Sequence, residues 1–378
     1  MMNDSFFQTV NLTVGYNKKP LISGINISLS KGVILTLIGP NGSGKSTILK
    51  SITKHLSMIS GVVYIDNSSL MDMSGRDIAK KISVVLTERV RTDLMTCGEV
   101  VALGRYPYTN HLGKLTEEDH AIVDDSLRRV NGSDLKDRSF DAISDGQRQR
   151  IMLARAICQK PEIIVLDEPT SFLDIRYKIE FLEILRQMAK EENITVIMSL
   201  HEIELAQKIS DYVICVKGDR ISRFGTPEEV FSQDAINELY DIKSGAYNLQ
   251  FGSVELSKPQ GDPETFVLAG GGKGIPFFRL LQRKNIPFYA GILHDNDIDY
   301  QISHSLAAHV YVEKAFTPVR EETIKMAAET LDRCIYVIDS GMEFREMNKC
   351  NEELLKRAKE TNKVIINSIS KVSEIFKG

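Results

Sequence analysis

The chain has 378 residues, 42% of them hydrophobic and 26% charged, an ordinary globular balance and enough chain for two domains with sizeable cores. A formal net charge of −4 at pH 7 argues against bulk nucleic-acid binding. The five cysteines (Cys97, Cys158, Cys215, Cys334 and Cys350) are scattered without CxxC spacing, which excludes a disulfide or metal framework and predicts reduced intracellular thiols.

The N-terminal MMNDSFFQTV has no basic region followed by an apolar run, so no export signal is expected. The longest apolar stretches, such as GVILTLIG at 32–39, are too short to span a bilayer. FQTVNLTVGY and LISGINISLS alternate in polarity and predict an antiparallel β layer. The runs at 33–38, 163–166 and 195–200 are apolar and rich in β-branched residues, as in strands buried on both faces. Helical patterns such as 178–191 lie between them, so the expected class is α/β with a parallel core sheet. Gly, Pro and Ser cluster at 244–264, which places a boundary between domains 1–255 and 256–378. Beyond it, TFVLAG, PFYAGIL, AHVYV, CIYVID and KVIIN read as short strands, with helices at PFFRLLQRK, EETIKMAAETL and EELLKRAKET. That alternation predicts a small, doubly wound, Rossmann-like domain.

GPNGSGKST at 39–47 matches the phosphate-loop pattern directly after a strand, the context the pattern requires. Gly39, Gly42 and Gly44 let the backbone turn its N–H groups inward toward phosphate oxygens, with Pro40, Asn41 and Ser43 completing the turn. Lys45 adds a cation for the β- and γ-phosphates, the Ser46 hydroxyl suits Mg²⁺, and Thr47 sits in the helix that aims its positive end at the same anion. IIVLDEPTSFLD at 163–174 supplies Asp167, able to hold Mg²⁺ through water, and Glu168, able to polarise an attacking water. ITVIMSL then ends in His201, a donor for a γ-phosphate. SDGQRQR at 144–150 carries a serine, a glycine and a helix start, equipment to hold a further phosphate.

With these motifs in this order, residues 1 to about 250 resemble the ATP-binding subunit of an ABC transporter. The resemblance implies the ABC-type ATPase fold, with a core sheet, a β layer and a helical subdomain. It makes Tyr16 the aromatic that stacks on adenine. It makes SDGQRQR the signature and SFLD the D-loop, so that Ser144, Gly146, Gln147 and Asp174 contact the ATP of a partner subunit. A head-to-tail homodimer with two sandwiched ATP molecules and Mg²⁺ follows from it. EVVALGRYPYTNHLG at 99–113 is similar to importers of ferric siderophores, haem and cobalamin, and reads as an exposed aromatic turn with an arginine that meets the membrane subunit. The implied partners are a separate integral membrane permease and a periplasmic or surface substrate-binding protein, with no nucleic acid, and the chain sits at the cytoplasmic face of the membrane. The alternative is a soluble ABC ATPase acting on nucleic acid, ribosomes or Fe–S assembly. Such members usually carry two ATPase units or long coiled-coil insertions, and this chain has neither.

The sequence departs from the family in two places. Thr87, followed by Glu88, stands where most members have a glutamine that reaches Mg²⁺ and the attacking water, and Asp145 replaces a glycine of the common signature. Either Thr87 or Glu88 offers oxygen to the metal. In the second domain, VLAGGGKG at 267–274 is neither GxGxxG nor a phosphate loop. HDNDIDY fails as a calcium loop, because Tyr300 stands where glycine is needed. His294, His304 and His309 have no ligand spacing. A dinucleotide-like or small-ligand regulatory module and an oligomerisation or scaffold domain both fit that pattern.

Overall fold

In the computed structural model, which describes residues 5–86, 94–110, 113–249 and 251–376, the alternating N-terminal segments form β1 (Phe7–Tyr16) and β2 (Lys19–Leu29), paired antiparallel. β3 (Ile34–Ile38) has every side chain buried and runs into α1 (Lys45–Ile52). β4 (Ser60–Ile65) and β5 (Ser68–Ser69) join the first layer in the order β2-β1-β4-β5. α2 (Gly75–Lys81) leads to β6 (Ile82–Val85). α3 (Cys97–Ala102), a 3₁₀ turn at Leu103–Tyr108, α4 (Glu117–Arg129) and α5 (Asp145–Cys158) make a helical subdomain.

The core sheet then fills in. β7 (Ile163–Leu166) is followed by α6 (Ile175–Glu192), β8 (Thr195–Ser199), α7 (Ile203–Ile209), β9 (Tyr212–Lys217) and β10 (Arg220–Gly225). α8 (Pro227–Val230) and α9 (Gln233–Leu239) close the first unit. The sheet order is β10-β9-β3-β8-β7-β6, parallel except for the β9–β10 pair. Leu35, Leu37, Val165 and Ile197 of this sheet share one core with Ile48, Leu49 and Ile52 of α1 and Leu12, Val14 and Ile25 of the β layer. Each such buried aliphatic contributes roughly 2 kcal/mol of burial energy, so the strand–loop–helix at β3–α1 is held from both sides.

In the helical subdomain one expectation fails. Arg105, read as part of an exposed turn, is 6% exposed. Its Nε donates to Asp119 Oδ1 (2.8 Å), its Nη1 donates to Cys158 O (2.9 Å), and its guanidinium lies 4.0 Å from the Tyr108 ring centroid. An arginine leaves water when a carboxylate, a carbonyl and a ring face are all provided. The exposed residues of the turn are instead Leu103, Tyr106 and Tyr108, with Tyr106 74% exposed. Thr87 and Glu88 lie outside the described residues.

The chain divides into compact units Met1–Asp241 and Ile242–Gly378. The segment expected to be irregular contains a hairpin, β11 (Ala246–Asn248) and β12 (Ser253–Glu255). Asn248 Nδ2 donates to Gln301 O, and buried Glu255 pairs with Arg279 at 3.0 Å, so the hairpin belongs to the second unit and the division falls before residue 255. That unit continues with β13 (Thr265–Leu268), α10 (Ile275–Arg283), β14 (Phe288–His294) and α11 (Ile298–Leu306). β15 (His309–Glu313), α12 (Glu321–Arg333), β16 (Tyr336–Asp339), α13 (Lys349–Glu360), β17 (Val364–Ile366) and α14 (Ile369–Ile375) complete it. The five strands run parallel in the order β15-β14-β13-β16-β17, the doubly wound arrangement. Sequence reading passed directly from the β14 run to the β15 run. Because these neighbours are parallel, a crossover has to return the chain, and α11 is that crossover.

Candidate functional site

The loop between β3 and α1 is shaped by its glycines. Gly39 has φ 148° and Gly44 φ 98°, and a Cβ on Gly39 would lie 2.2 Å from Val216 O. No other residue takes that approach without displacing backbone. Lys45, 4% exposed, turns its ammonium back onto the loop, donating to Gly39 O (2.8 Å) and Pro40 O (3.0 Å). Burial lowers its pKa, and the nearby Glu168 and Asp167 carboxylates oppose that shift. Ser43 Oγ is buried without a hydrogen-bond partner among the described residues, a donor that a phosphate oxygen would satisfy.

Opposite the loop, the carboxyl ends of β7 and β8 bring in the acids and the histidine. Ser199 Oγ donates to Asp167 Oδ1 (2.7 Å) and accepts from Glu168 N (2.9 Å), fixing both acids through one buried hydroxyl. Glu168 has φ 49°, a left-handed backbone that is strained for a glutamate, and its Oε1 lies 2.7 Å from His201 Nε2. A cavity of about 370 Å³ is lined by Tyr16, Leu21, Asn41, Gly42, Gly44, Lys45, Ser46, Thr47, Glu168 and His201. The fold thus gathers residues from four separate stretches of chain around one space. Tyr16 is half exposed at its rim, with its hydroxyl 3.2 Å from Thr47 Oγ1.

Ser144, Gly146, Gln147 and Asp174 do not line that cavity. Ser144 caps α5 in a reciprocal box with Gln147, its N–H donating to Gln147 Oε1 at 3.0 Å and its Oγ accepting from Gln147 N at 3.3 Å. Asp174 caps α6 through Tyr177 N. A Cβ on Gly146 would lie 3.5 Å from Leu173 Cδ2, so the two caps sit side by side. They form a second surface patch, flanked by exposed Phe172 and Ile175.

The sequence reading missed Ser199 and Leu21. Ser199 had a signal, a hydroxyl at a buried strand end two residues before His201; Leu21 had none, because only the packing of β2 brings it to the cavity. For a divalent cation the donors on offer are the Ser46 hydroxyl and the Asp167 carboxylate. Among the described residues no group of three or more His, Cys, Asp or Glu is arranged to hold a metal. The Ser46 and Asp167 groups are both oxygen donors, the kind that suits a hard divalent ion whose shell is completed by water and substrate phosphates.

A glycine loop feeding a helix from a buried parallel strand, a buried lysine within it, and an Asp-Glu pair across the cavity define a phosphate-loop nucleotide hydrolase. The family model for ABC transporter matches residues 22–171, and the MJ0874 family model matches residues 288–375. The ABC transporter ATP-binding protein MJ0873 of Methanocaldococcus jannaschii is 44% identical over 287 residues, which are 76% of this chain and 99% of that one. The iron(3+)-hydroxamate import ATP-binding protein FhuC of Bacillus subtilis is 36% identical, over 62% of this chain and 87% of its own. Among solved structures, an inward-facing ABC transporter described as metal-chelate type superposes with a TM-score of 0.56 at 26% identity, covering 62% of this chain and 88% of that one. A dimeric, post-hydrolysis ATP-binding cassette, MJ0796 with ADP and Pi, gives 0.53 at 25% identity, covering 58% and 98%. The chain belongs to the ABC transporter ATP-binding proteins and is an ATPase. All five cysteines are buried thiols, and among the described residues no helix is long and apolar enough to cross a membrane.

Proposed function

We propose that this chain energises the uptake of an iron chelate (siderophore or haem) or cobalamin. It works as a head-to-tail homodimer docked from the cytoplasmic side on separate permease subunits that receive cargo from a substrate-binding protein. The observation that carries the reading is the pairing of the ATP cavity with similarity to iron-chelate import ATP-binding proteins, FhuC and the petrobactin import protein YclP of Bacillus subtilis among them, over 62% and 61% of the chain.

The roles follow from position. Tyr16, at the cavity rim, stacks on adenine. The amides of the loop from Gly39 to Thr47 and the Lys45 ammonium hold the phosphates. Bound ATP replaces the loop carbonyls that Lys45 now contacts, so the lysine changes partner and is not newly desolvated. Ser46 and Asp167 hold Mg²⁺, which supplies charge neutralisation of the phosphates when bound. Thr87 and Glu88 are proposed as further oxygen donors to it. Glu168 orients the attacking water, and His201, in contact with it, donates to the γ-phosphate. Ser144, Gly146, Gln147 and Asp174 complete the partner's site. Their grouping away from their own cavity, beside the exposed apolar side chains of Phe172 and Ile175, supports that reading. Leu103 and Tyr106 face the permease.

The test is Glu168→Gln, which retains the shape of the side chain and loses the carboxylate. With saturating Mg-ATP this variant sediments as a dimer, while Lys45→Ala binds no nucleotide and does not respond. Co-expressed with an iron-chelate permease, the wild-type chain moves to the membrane fraction and its ATPase rate rises. Monomers of Glu168→Gln at saturating ATP would remove the sandwich, and indifference to every such permease would remove the transport assignment.

A further inference from the structure

The second unit repeats the device of the first, a buried parallel strand, a glycine-rich turn and a helix, at the junction of β13 and α10. This is also the topological switch point of its sheet, since the connections from β13 and β16 leave toward opposite edges. Doubly wound sheets take ligands there, and phosphate goes to the amides at the helix start. Gly271 and Gly272 have φ 62° and 82°, and the space above Gly271 is open.

The two loops differ in what already occupies them. In the first, the group turned onto the loop is a cation, Lys45, and a nearby hydroxyl is without a partner. In the second, three of the amides, those of Gly271, Gly274 and Ile275, are taken by carboxylates of the chain itself. Asp299, 0% exposed, accepts from Gly274 N through both oxygens (3.1 and 3.0 Å) and from Ile275 N (3.1 Å). Asp297 accepts from Gly271 N (3.1 Å to Oδ2) and from Asp299 N (2.8 Å), capping α11. Burial raises the pKa of Asp299, and the amides of Gly274 and Ile275 work against that shift. A phosphate arriving here meets amides already satisfied and two like charges within hydrogen-bond reach of them.

We propose that Asp297 and Asp299 are the resident anions of this loop. They make the second unit select against phosphate-bearing ligands at its switch point. The three acids of HDNDIDY then have a use that calcium binding did not explain, in Asp297 and Asp299 as loop ligands and Asp295 as acceptor for Ala315 N.

The experiment uses the full-length Lys45→Ala chain, isotopically labelled, titrated with ATP, NAD⁺ and inorganic pyrophosphate. The amides of Gly271, Gly274 and Ile275 are expected to exchange slowly from the start and to hold their chemical shifts to millimolar probe. Saturable shifts at those amides from any probe would overturn the proposal. Residual binding at the first unit would appear at Gly42 and Gly44 instead, and is thereby distinguished. In the folded Asp297→Ser/Asp299→Ser variant, pyrophosphate is expected to shift the Gly271 and Gly274 amides. A folded variant that still ignores it would show that the carboxylates do not set the selectivity. Saturable shifts in the chain with both aspartates intact overturn the proposal whether or not the variant folds.

Discussion

Ser199 shows how a single hydroxyl organises the hydrolytic side of the cavity. Its Oγ both donates to Asp167 and accepts from Glu168 N, and the residue is fully buried. Ser199→Ala removes one hydrogen bond to the Asp167 carboxylate and one from the part-buried Glu168 amide, at about 1–3 kcal/mol. That cost falls on the geometry of the two acids and not on any phosphate contact. The expected outcome is an intact nucleotide Kd with kcat reduced roughly tenfold or more, since 1.4 kcal/mol of lost positioning corresponds to a factor of ten. Equal losses in binding and turnover would place Ser199 in folding rather than in positioning. Glu168 depends on the same anchor, because its left-handed backbone at φ 49° persists only while its surroundings hold it.

In the helical subdomain the corresponding anchor is an ion pair. Arg105, on the 3₁₀ turn, and Asp119, in the first turn of α4, are both buried and meet at 2.8 Å. The Thr116 amide first, then the Arg105 guanidinium and the Thr116 hydroxyl, hold the Asp119 pKa down at about 2 against the opposing effect of burial. A depressed carboxylate pKa stabilises the fold fully above the unfolded value of 3.8, and that stability is lost as pH falls toward 2. Asp119→Asn is expected to destabilise by about 3 kcal/mol, because it leaves a buried guanidinium uncompensated. It should also flatten the acid limb of a denaturation profile between pH 4 and 2. The paired replacement Arg105→Met/Asp119→Leu should recover most of the loss. A chevron or thermal melt of Asp119→Asn matching wild type would mean that the pair is not needed to hold the Leu103–Tyr108 turn.

Across the whole molecule, every residue lining the cavity lies within the unit Met1–Asp241. The relative FhuC aligns over 62% of this chain and 87% of its own length. We therefore expect the chain truncated after Asp241 to fold and to bind and hydrolyse ATP. Truncation after residue 255 is expected to do worse, because it keeps the hairpin β11–β12 while removing Arg279 and Gln301, its partners. Glu255, 3% exposed in the full chain, would then be exposed with its strand. Solubility, ATP affinity and melting temperature of the two truncations check this. A shorter chain that is insoluble or blind to nucleotide would show that the first unit requires the second.

The sequence by itself determined the ATPase half of this protein, because its chemistry is written in local spacing. A phosphate loop needs its glycines, lysine and serine consecutively, and strands buried on both faces read as unbroken apolar runs. So Gly39, Lys45, Asp167, Glu168 and His201 could be named before any fold was seen, and the order of motifs identified the family. What tertiary structure decided depends on residues far apart in the chain. Arg105 in isolation reads as a surface arginine, and only the carboxylate from α4 and the carbonyl ending α5 bury it. The β11–β12 hairpin is too short and too polar to show periodicity, and its allegiance rests on partners in α10 and α11. The acids of HDNDIDY were illegible for the same reason. Whether an aspartate is solvated, binds a metal or closes a glycine loop depends on which amides the parallel sheet brings within hydrogen-bond reach of it, and no spacing within that segment carries that information.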